Sequence, residues 1–525
     1  MVTIIKKNIW LILILLLAIG LRVYRLDYLE LFGDELDAGY QSYSILLHAK
    51  DYRGNWLPPY MESFSEWRAP GLMYAMVPFI KIFGLNEWGV RMPSVFFGVG
   101  SIVGFYWLLI RLKATKKVAL WSVLFLAISP WHIQYSRSAF ELTLLSAMLV
   151  WGMGYLHKGI IEKKNIYVVW SALVFSIAIY TYNTANIYVP LFCLVMLILF
   201  KANLKQAFVL IVSGAIICLP LIYQIVFGHA AERFSKVSIT NNKEVVALIN
   251  DYRNADNSSL TSKVFFNKYT VSLRRILFNY SNAFSGDFLF RTGDVTFRHS
   301  LHQVGYLYWV MLPLIIIGLL SANKYMVLWL LIAPIPSSLT YDGYNHGSRL
   351  FLLVFPLCYL AANGLANVKK KWSVIVGLVL IFEFVFFQYY YWNFYRDESW
   401  RWWHTGYKSA MTYVLENKEH YDHVLIDNTY EPALIRYLFW NKIDPKEIMS
   451  LVDKGNYCVD KVCFMDFGDK FDINHLDKKT LYLLSQEKNI GGLRDLEKEP
   501  PENSEVLKTV RNFYGQSVFY LVRGK

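Results

Sequence analysis

Three carboxylates, Asp34, Glu35 and Asp37, stand in the stretch Leu31-Phe-Gly-Asp-Glu-Leu-Asp-Ala-Gly-Tyr40, directly after the first long apolar run of the chain. Carboxylates cost several kcal/mol in hydrocarbon, so acids grouped at a membrane boundary are either a solvated helix cap or a base for chemistry. Gly33 followed by early acids suits a helix start, where the dipole favours negative charge. Leu36, Tyr40, Tyr43 and Leu47 then recur at helical spacing. This predicts an amphipathic helix along the outer surface, with Asp37 as a solvated position on it. Adjacent residues on a helix diverge by about 100°, so Asp34 and Glu35 cannot flank one bond as an acid and base pair. One base with a neighbouring helper is what the spacing allows: Asp34 as the base, Glu35 beside it.

Cations complement these acids. Arg68, in Glu66-Trp-Arg-Ala-Pro-Gly71, opens a short apolar segment. A guanidinium there pairs with a phosphate in bidentate fashion, or snorkels at headgroup level. Arg91, Arg137 and Arg349 fall at or near the outer ends of spans, where basic residues are depleted, and a shared anionic ligand would give them a reason. His132, Glu141, Asp287, Asp294, His299, His302, Asp342 and His346 complete the outer polar inventory, with Tyr40, Glu141, Asp287, His299 and His346 as candidates for holding a substrate or acceptor. No tight ligand spacing such as HExxH occurs, so a divalent metal stays unassigned and no cofactor is required.

The elements that position these residues are membrane spans. Of 525 residues, 55% are hydrophobic, 17% aromatic and 18% charged, and the mean hydropathy is +0.30. That profile is a polytopic membrane protein. The net charge of +13 sits in short basic clusters between apolar runs, as in cytoplasmic loops, and not in a separate basic domain that would bind nucleic acid. Apolar runs predict about eleven spans. The first covers 8–26 with Lys6 and Lys7 inside, and it lacks a small-residue cleavage site. Residues 27–89 form the first outer loop. Within it, 69–84 is short and broken by Pro70 and Pro78, hence interfacial, and crossing there would put the basic loop Arg111-Leu-Lys-Ala-Thr-Lys-Lys117 outside. A long outer loop occupies 228–303, and the last span, about 373–392, carries the tail outside. The N-terminus is then cytoplasmic and the polar motifs gather on the extracytoplasmic face of the cell membrane.

Residues 393–525 read as a small α/β domain: helices at 407–417 and 431–440, and strands at 423–427 and 462–466, with further elements at 480–487 and 517–522. Cys458 and Cys463 are the only cysteines in a polar region, either bridged across a short loop or free.

The Asp-Glu pair after span one, the Pro-containing segment that follows, Arg91-Met-Pro-Ser94, Ser129-Pro-Trp-His-Ile-Gln-Tyr-Ser-Arg-Ser-Ala-Phe-Glu141, and Phe297-Arg-His-Ser300 before the Gly305-Tyr-Leu-Tyr308 run resemble the GT-C superfamily. The protein O-mannosyltransferases and lipid A aminoarabinose transferases are the families most alike, over about the first 390 residues. The resemblance implies a GT-C transmembrane unit over 1–392 that transfers a sugar from a polyprenyl-phosphate carrier to a lipid, glycan or protein acceptor outside the membrane. It implies Asp34 as catalytic carboxylate with Glu35 beside it. At Arg68-Ala-Pro-Gly71 the second proline of the family pattern is absent. The aminoarabinose transferases use a Glu and a His for zinc, and that His has no unique counterpart here. Inverting transfer needs a base for the acceptor and cations at the departing phosphate, for which Arg68, Arg91, Arg137 and Arg349 are candidates. Two rivals remain. A lipid-linked glycan flippase would place ionisable groups at mid-span and show repeated halves, but Glu383 is the main such residue and no internal symmetry is apparent. A glycan ligase or polymerase would share the carrier.

Overall fold

In the computed structural model, residues 2–63, 66–228, 238–239, 242–430, 432–449, 458–467, 471–490 and 494–525 are described. Helix α1 (Val2–Val23) leads into α2 (Gly33–His48), a hairpin of β1 (Met61–Glu62) and β2 (Trp67–Arg68), and α3 (Gly71–Phe83). The bundle continues through α4 (Glu87–Arg111), α5 (Lys116–Ile128), α6 (Pro130–Ser136), α7 (Leu142–Ile161), α8 (Asn165–Ile179), α9 (Ala185–Leu199) and α10 (Leu204–Phe227). Among the described residues of the long loop are the helices α11 (Lys243–Ala255), α12 (Leu260–Phe265) and α13 (Lys268–Asn282), the first and last of them amphipathic. Late helices are α14 (Met311–Leu319), α15 (Lys324–Ser338), α16 (Gly347–Asn367) and α17 (Lys370–Glu398).

Every apolar run read as a span folds as a helix, but the count of about eleven crossings is not carried by helix length. Among the described residues five helices are long and apolar enough to cross a membrane, or up to seven if each bent pair is one span. The bends fall between α5 and α6, at 59°, and between α14 and α15, at 119°. Ser129-Pro130 explains the first, since proline cannot continue the hydrogen-bond ladder and Ser129 caps the new helix. At 13 residues, α3 is too short to span, in keeping with the interfacial reading of 69–84. Mid-span Glu383 accepts from the backbone N–H groups of Trp309 and Val310 at 2.9 and 3.2 Å, capping the start of α14.

The C-terminal region contains α18 (Tyr407–Asn417), α19 (Leu434–Trp440) and a six-stranded sheet. The sheet comprises β3 (His423–Asp427), β4 (Cys458–Val459), β5 (Val462–Met465), β6 (Thr480–Ser485), β7 (Ser504–Arg511) and β8 (Ser517–Gly524), in the order β4-β5-β3-β6-β8-β7. Central β3 runs parallel to β5 and β6, and the remaining pairs are antiparallel. The helix expected at 431–440 begins at Leu434, and its expected first residue lies outside the described residues. Strand β7 went unread because its charged alternation, Ser-Glu-Val-Leu-Lys-Thr-Val-Arg, imitates a solvated loop. Cys458 and Cys463 face each other across β4 and β5 and are bridged.

One core fills the helix bundle, and a second joins α2 and α3 to the C-terminal sheet. This second core corrects the expected surface helix. Most of α2 is buried, including Glu35, Leu36, Asp37 and Tyr40, because α19 and the C-terminal sheet share a core with it where the sequence pattern suggests a helix lying on the surface. Gly39 makes the approach possible: a Cβ there would lie 2.7 Å from Val90 and 2.8 Å from Phe439. Glu30 fastens the same junction by accepting from the N–H groups of Gly406 and Lys408 at the start of α18.

Candidate active site

Asp34 lies in the first turn of α2, where the helix dipole favours a carboxylate. It accepts a hydrogen bond from Arg68 Nη2 at 2.6 Å. The two side chains differ in setting, since Arg68 is 7% exposed and Asp34 50%. Strand β2 carries Arg68, and the β1–β2 pairing of Met61 with Arg68 fixes its backbone. Gln41 secures the hairpin to α2 by donating to the Glu62 carbonyl at 2.9 Å. Burial by itself disfavours the Arg68 cation, but Asp34, Asp37, Glu66 and Glu141 around it hold its pKa well above the ordinary arginine value.

Asp37, one turn on from Asp34, is not solvated. It is 5% exposed, accepts from the Tyr52 hydroxyl at 2.6 Å, and its other oxygen makes no hydrogen bond among the described residues. Burial pushes its carboxyl up to about 6, against the pull of Arg68. The tyrosine sits on the returning loop, a placement no helical periodicity could show.

Glu35 points the opposite way. It is fully buried in a two-pronged pair with Arg91, Nε to Oε1 at 2.8 Å and Nη2 to Oε2 at 2.7 Å, and also accepts from the Ala139 N–H at 2.8 Å. Arg91 spends its remaining donors on the carbonyls of Leu26, Leu29 and Glu30. Arg137 is likewise committed, to the carbonyls of Leu21, Arg22, Tyr24 and Arg25 at the end of α1 and to the Tyr391 hydroxyl. Both arginines cap backbone; neither presents a free fork to a ligand. Arg349 donates to Thr340 and Asp342 at 2.6 Å each.

Asp34 has a second flank, built from the loops before α14 and α16. His299 Nδ1 lies 3.1 Å from the Tyr135 hydroxyl and 3.3 Å from Ser348 Oγ, and its ring centroid is 5.9 Å from that of His346. Burial lowers the His299 pKa, with Asp294 and Asp34 opposing that and Arg298 and Arg349 adding to it. Asp294 accepts from the Gly347 N–H at 2.7 Å and ties the two loops together. Arg298 stacks its guanidinium 4.6 Å from the Phe32 ring, two residues before Asp34. Its Nε is buried without a partner, so it is an arginine beside the site whose charge meets no acid among the described residues. It stands inside the motif Phe297-Arg-His-Ser300, four residues after Asp294, and nothing in its spacing sets it apart from the rest of that motif.

Asp34, Arg68, Glu141, His299, His346 and Arg349 thus share one region. Tyr40 and Asp287 do not. The Tyr40 hydroxyl donates to the Ile443 carbonyl at 2.9 Å inside the second core, and Asp287 pairs with exposed Arg291. No group of three or more His, Cys, Asp or Glu side chains among the described residues is arranged to hold a metal ion.

A family model described as dolichyl-phosphate-mannose-protein mannosyltransferase matches residues 68–226, a stretch that opens at Arg68. No curated protein matches the sequence. Among solved structures, ArnT from Cupriavidus metallidurans in the apo state is similar at 12% identity and a TM-score of 0.56, covering 98% of each chain. The same protein bound to undecaprenyl phosphate is similar at 11% identity and 0.55, again over 98% of each. The oligosaccharyltransferase AglB from Archaeoglobus fulgidus, in complex with an inhibitory peptide and a dolichol-phosphate, aligns at 12% identity and 0.47, covering 84% of this chain and 64% of that one. The chain therefore has a fold similar to that of ArnT over nearly its whole length, and over residues 68–226 it resembles the family described as dolichyl-phosphate-mannose-protein mannosyltransferase.

Proposed function

We propose that the chain is an inverting glycosyltransferase that moves a sugar from a polyprenyl-phosphate carrier to an acceptor on the extracytoplasmic face, with Asp34 as general base. The observation that carries this reading is the Asp34–Arg68 pair, a half-exposed carboxylate held in place by a buried guanidinium. As the acceptor oxygen attacks the anomeric carbon, its proton passes to Asp34 and the sugar–phosphate bond breaks. The carrier leaves as a phosphate and needs positive charge more than an acid. Arg68 and Arg298 supply it, with Arg349 behind them, whereas Arg91 and Arg137 hold the backbone around α2 and the end of α1. His299, neutral through burial, orients sugar hydroxyls together with Tyr135 and Ser348. Glu35 positions α2.

Residues 1–392 would form the membrane-embedded catalytic unit, with the N-terminus cytoplasmic and residues 393–525 covering the outer face. The flippase reading loses its main support because Glu383 caps a helix.

The test is mass analysis of envelope glycoconjugates from cells with wild-type, Asp34→Asn or no copy of the chain. A single added sugar dependent on wild-type protein supports transfer. A whole added glycan indicates a ligase, and unchanged glycoconjugates beside altered carrier distribution indicate a flippase.

A further inference from the structure

The C-terminal sheet carries a cleft of about 450 Å³ that takes no part in the chemistry above. That volume is in the range of small-ligand sites. Its aromatic walls are Trp400 and Tyr430, and Gln486, Gln516 and Ser517 add amide and hydroxyl groups. Tyr430 is held flat against His404, 5.1 Å between centroids at 2°. Flat aromatic faces beside amides and hydroxyls are the surface on which a hydroxyl-rich ring is bound, its apolar face on the aromatic and its edges hydrogen-bonded.

Charge narrows the ligand. Four cations line the cleft, Arg401, Arg494, Lys498 and Arg511, against two acids, Glu487 and Asp495. Arg401 lies 3.6 Å from Glu487, and Arg511 is paired with Asp495 at 3.2 Å. Arg494 donates to the Glu499 carbonyl at 3.4 Å. The charges of Arg494 and Lys498 meet no carboxylate among the described residues. Two uncompensated cations beside aromatic faces ask for an anionic partner.

The segment that walls the cleft also leads to the catalytic side. Two residues after Trp400, Trp402 packs 6.0 Å from the Arg298 guanidinium, the same group that stacks on Phe32. Arg298 also precedes His299, which senses the charge of Asp34.

We infer that this cleft binds an acidic saccharide, the distal part of the acceptor glycan whose near end reaches Asp34. The inference rests on the glycosyltransferase reading for the word acceptor, but the saccharide site itself is measurable alone. Calorimetry on the full chain in nanodiscs compares a tetrasaccharide of alternating glucuronate and N-acetylglucosamine with neutral chitotetraose. The acidic probe is expected to bind at least tenfold more tightly, to weaken as salt is raised, and to lose at least tenfold in affinity in the Arg494→Glu, Lys498→Glu double variant and in Trp400→Ala. Asp34→Asn should bind the probe as wild type does while losing transfer. Equal affinity for both probes, no binding by folded wild-type protein, or undiminished binding by the double variant would overturn the cleft assignment. Should the double variant misfold, the salt dependence and probe preference of the wild type still decide. Probe binding intact beside undiminished transfer by Asp34→Asn would instead overturn the catalytic assignment and leave the cleft standing.

Discussion

Glu35 and Arg91 form a two-pronged ion pair in which neither side chain is more than 1% exposed. They join the first turn of α2, next to Asp34 in the chain, to α4. Breaking such a pair strands a buried charge, at about 3–5 kcal/mol. Glu35→Gln is expected to lower the melting temperature of the purified protein and to reduce transfer only through loss of folded protein. Specific activity per folded molecule should stay within a few-fold of wild type. A variant that keeps its melting temperature and loses activity would place Glu35 in the chemistry instead.

Asp37 gives a pH dependence. Its folded carboxyl titrates at about 6, raised by burial from an ordinary value of 3.8. The folded state then binds the proton more tightly than the unfolded state, so stability from this group is full below about pH 4 and is lost as pH rises through about 6, by at most roughly 3 kcal/mol. Asp37→Asn should remove that slope. The difference in thermal stability between variant and wild type should therefore move in the variant's favour from pH 4 to 7. A constant difference across that window would mean that Asp37 is not raised.

Tyr40 separates binding from packing. Its hydroxyl is spent on the Ile443 carbonyl. Tyr40→Phe should cost about 1 kcal/mol of stability and leave KM for donor and acceptor unchanged. A raised acceptor KM would restore the substrate-binding role that the sequence suggests.

Much of this was legible in the sequence. Strand β3 and helix α18 match their expected bounds at 423–427 and 407–417, because strong local patterns decide them. The pairing of Asp34 with Arg68 was open to reading as acids and a cation on one face, but not as a contact, since a hairpin whose tip lies outside the described residues brings them together. Long-range covering hid the rest. Asp37 on α2 looks wet until Tyr52 closes over it, and the apolar stripe that carries Tyr40 looks like a surface-lying face until α19 packs against α2. Arginines at helix ends look like ligand binders until the carbonyls they cap are seen, as with Arg137 on the end of α1. Arg298 shows the converse, a cation whose packing on Phe32 and Trp402, away from any acid among the described residues, only the fold reveals.

Arg68 and Arg298 divide the phosphate between them in this account. Arg298→Ala should lower kcat/KM for the polyprenyl-phosphate donor about 10²-fold or more, with stability nearly unchanged because no protein acid loses its partner. Arg137→Ala should do the reverse, destabilising the fold by exposing the carbonyls at the end of α1. Donor kinetics and thermal melts on both variants check the assignment, and an exchange of the two outcomes would refute it.

The most direct measurement is transfer by Asp34→Asn in a reconstituted assay with defined polyprenyl-phosphate sugar, set beside the binding of that donor. Removing the base while keeping shape should reduce kcat about 10²–10⁴-fold, with donor affinity within a few-fold of wild type and a folded protein by thermal melt. Transfer at the wild-type rate by folded Asp34→Asn would contradict the account.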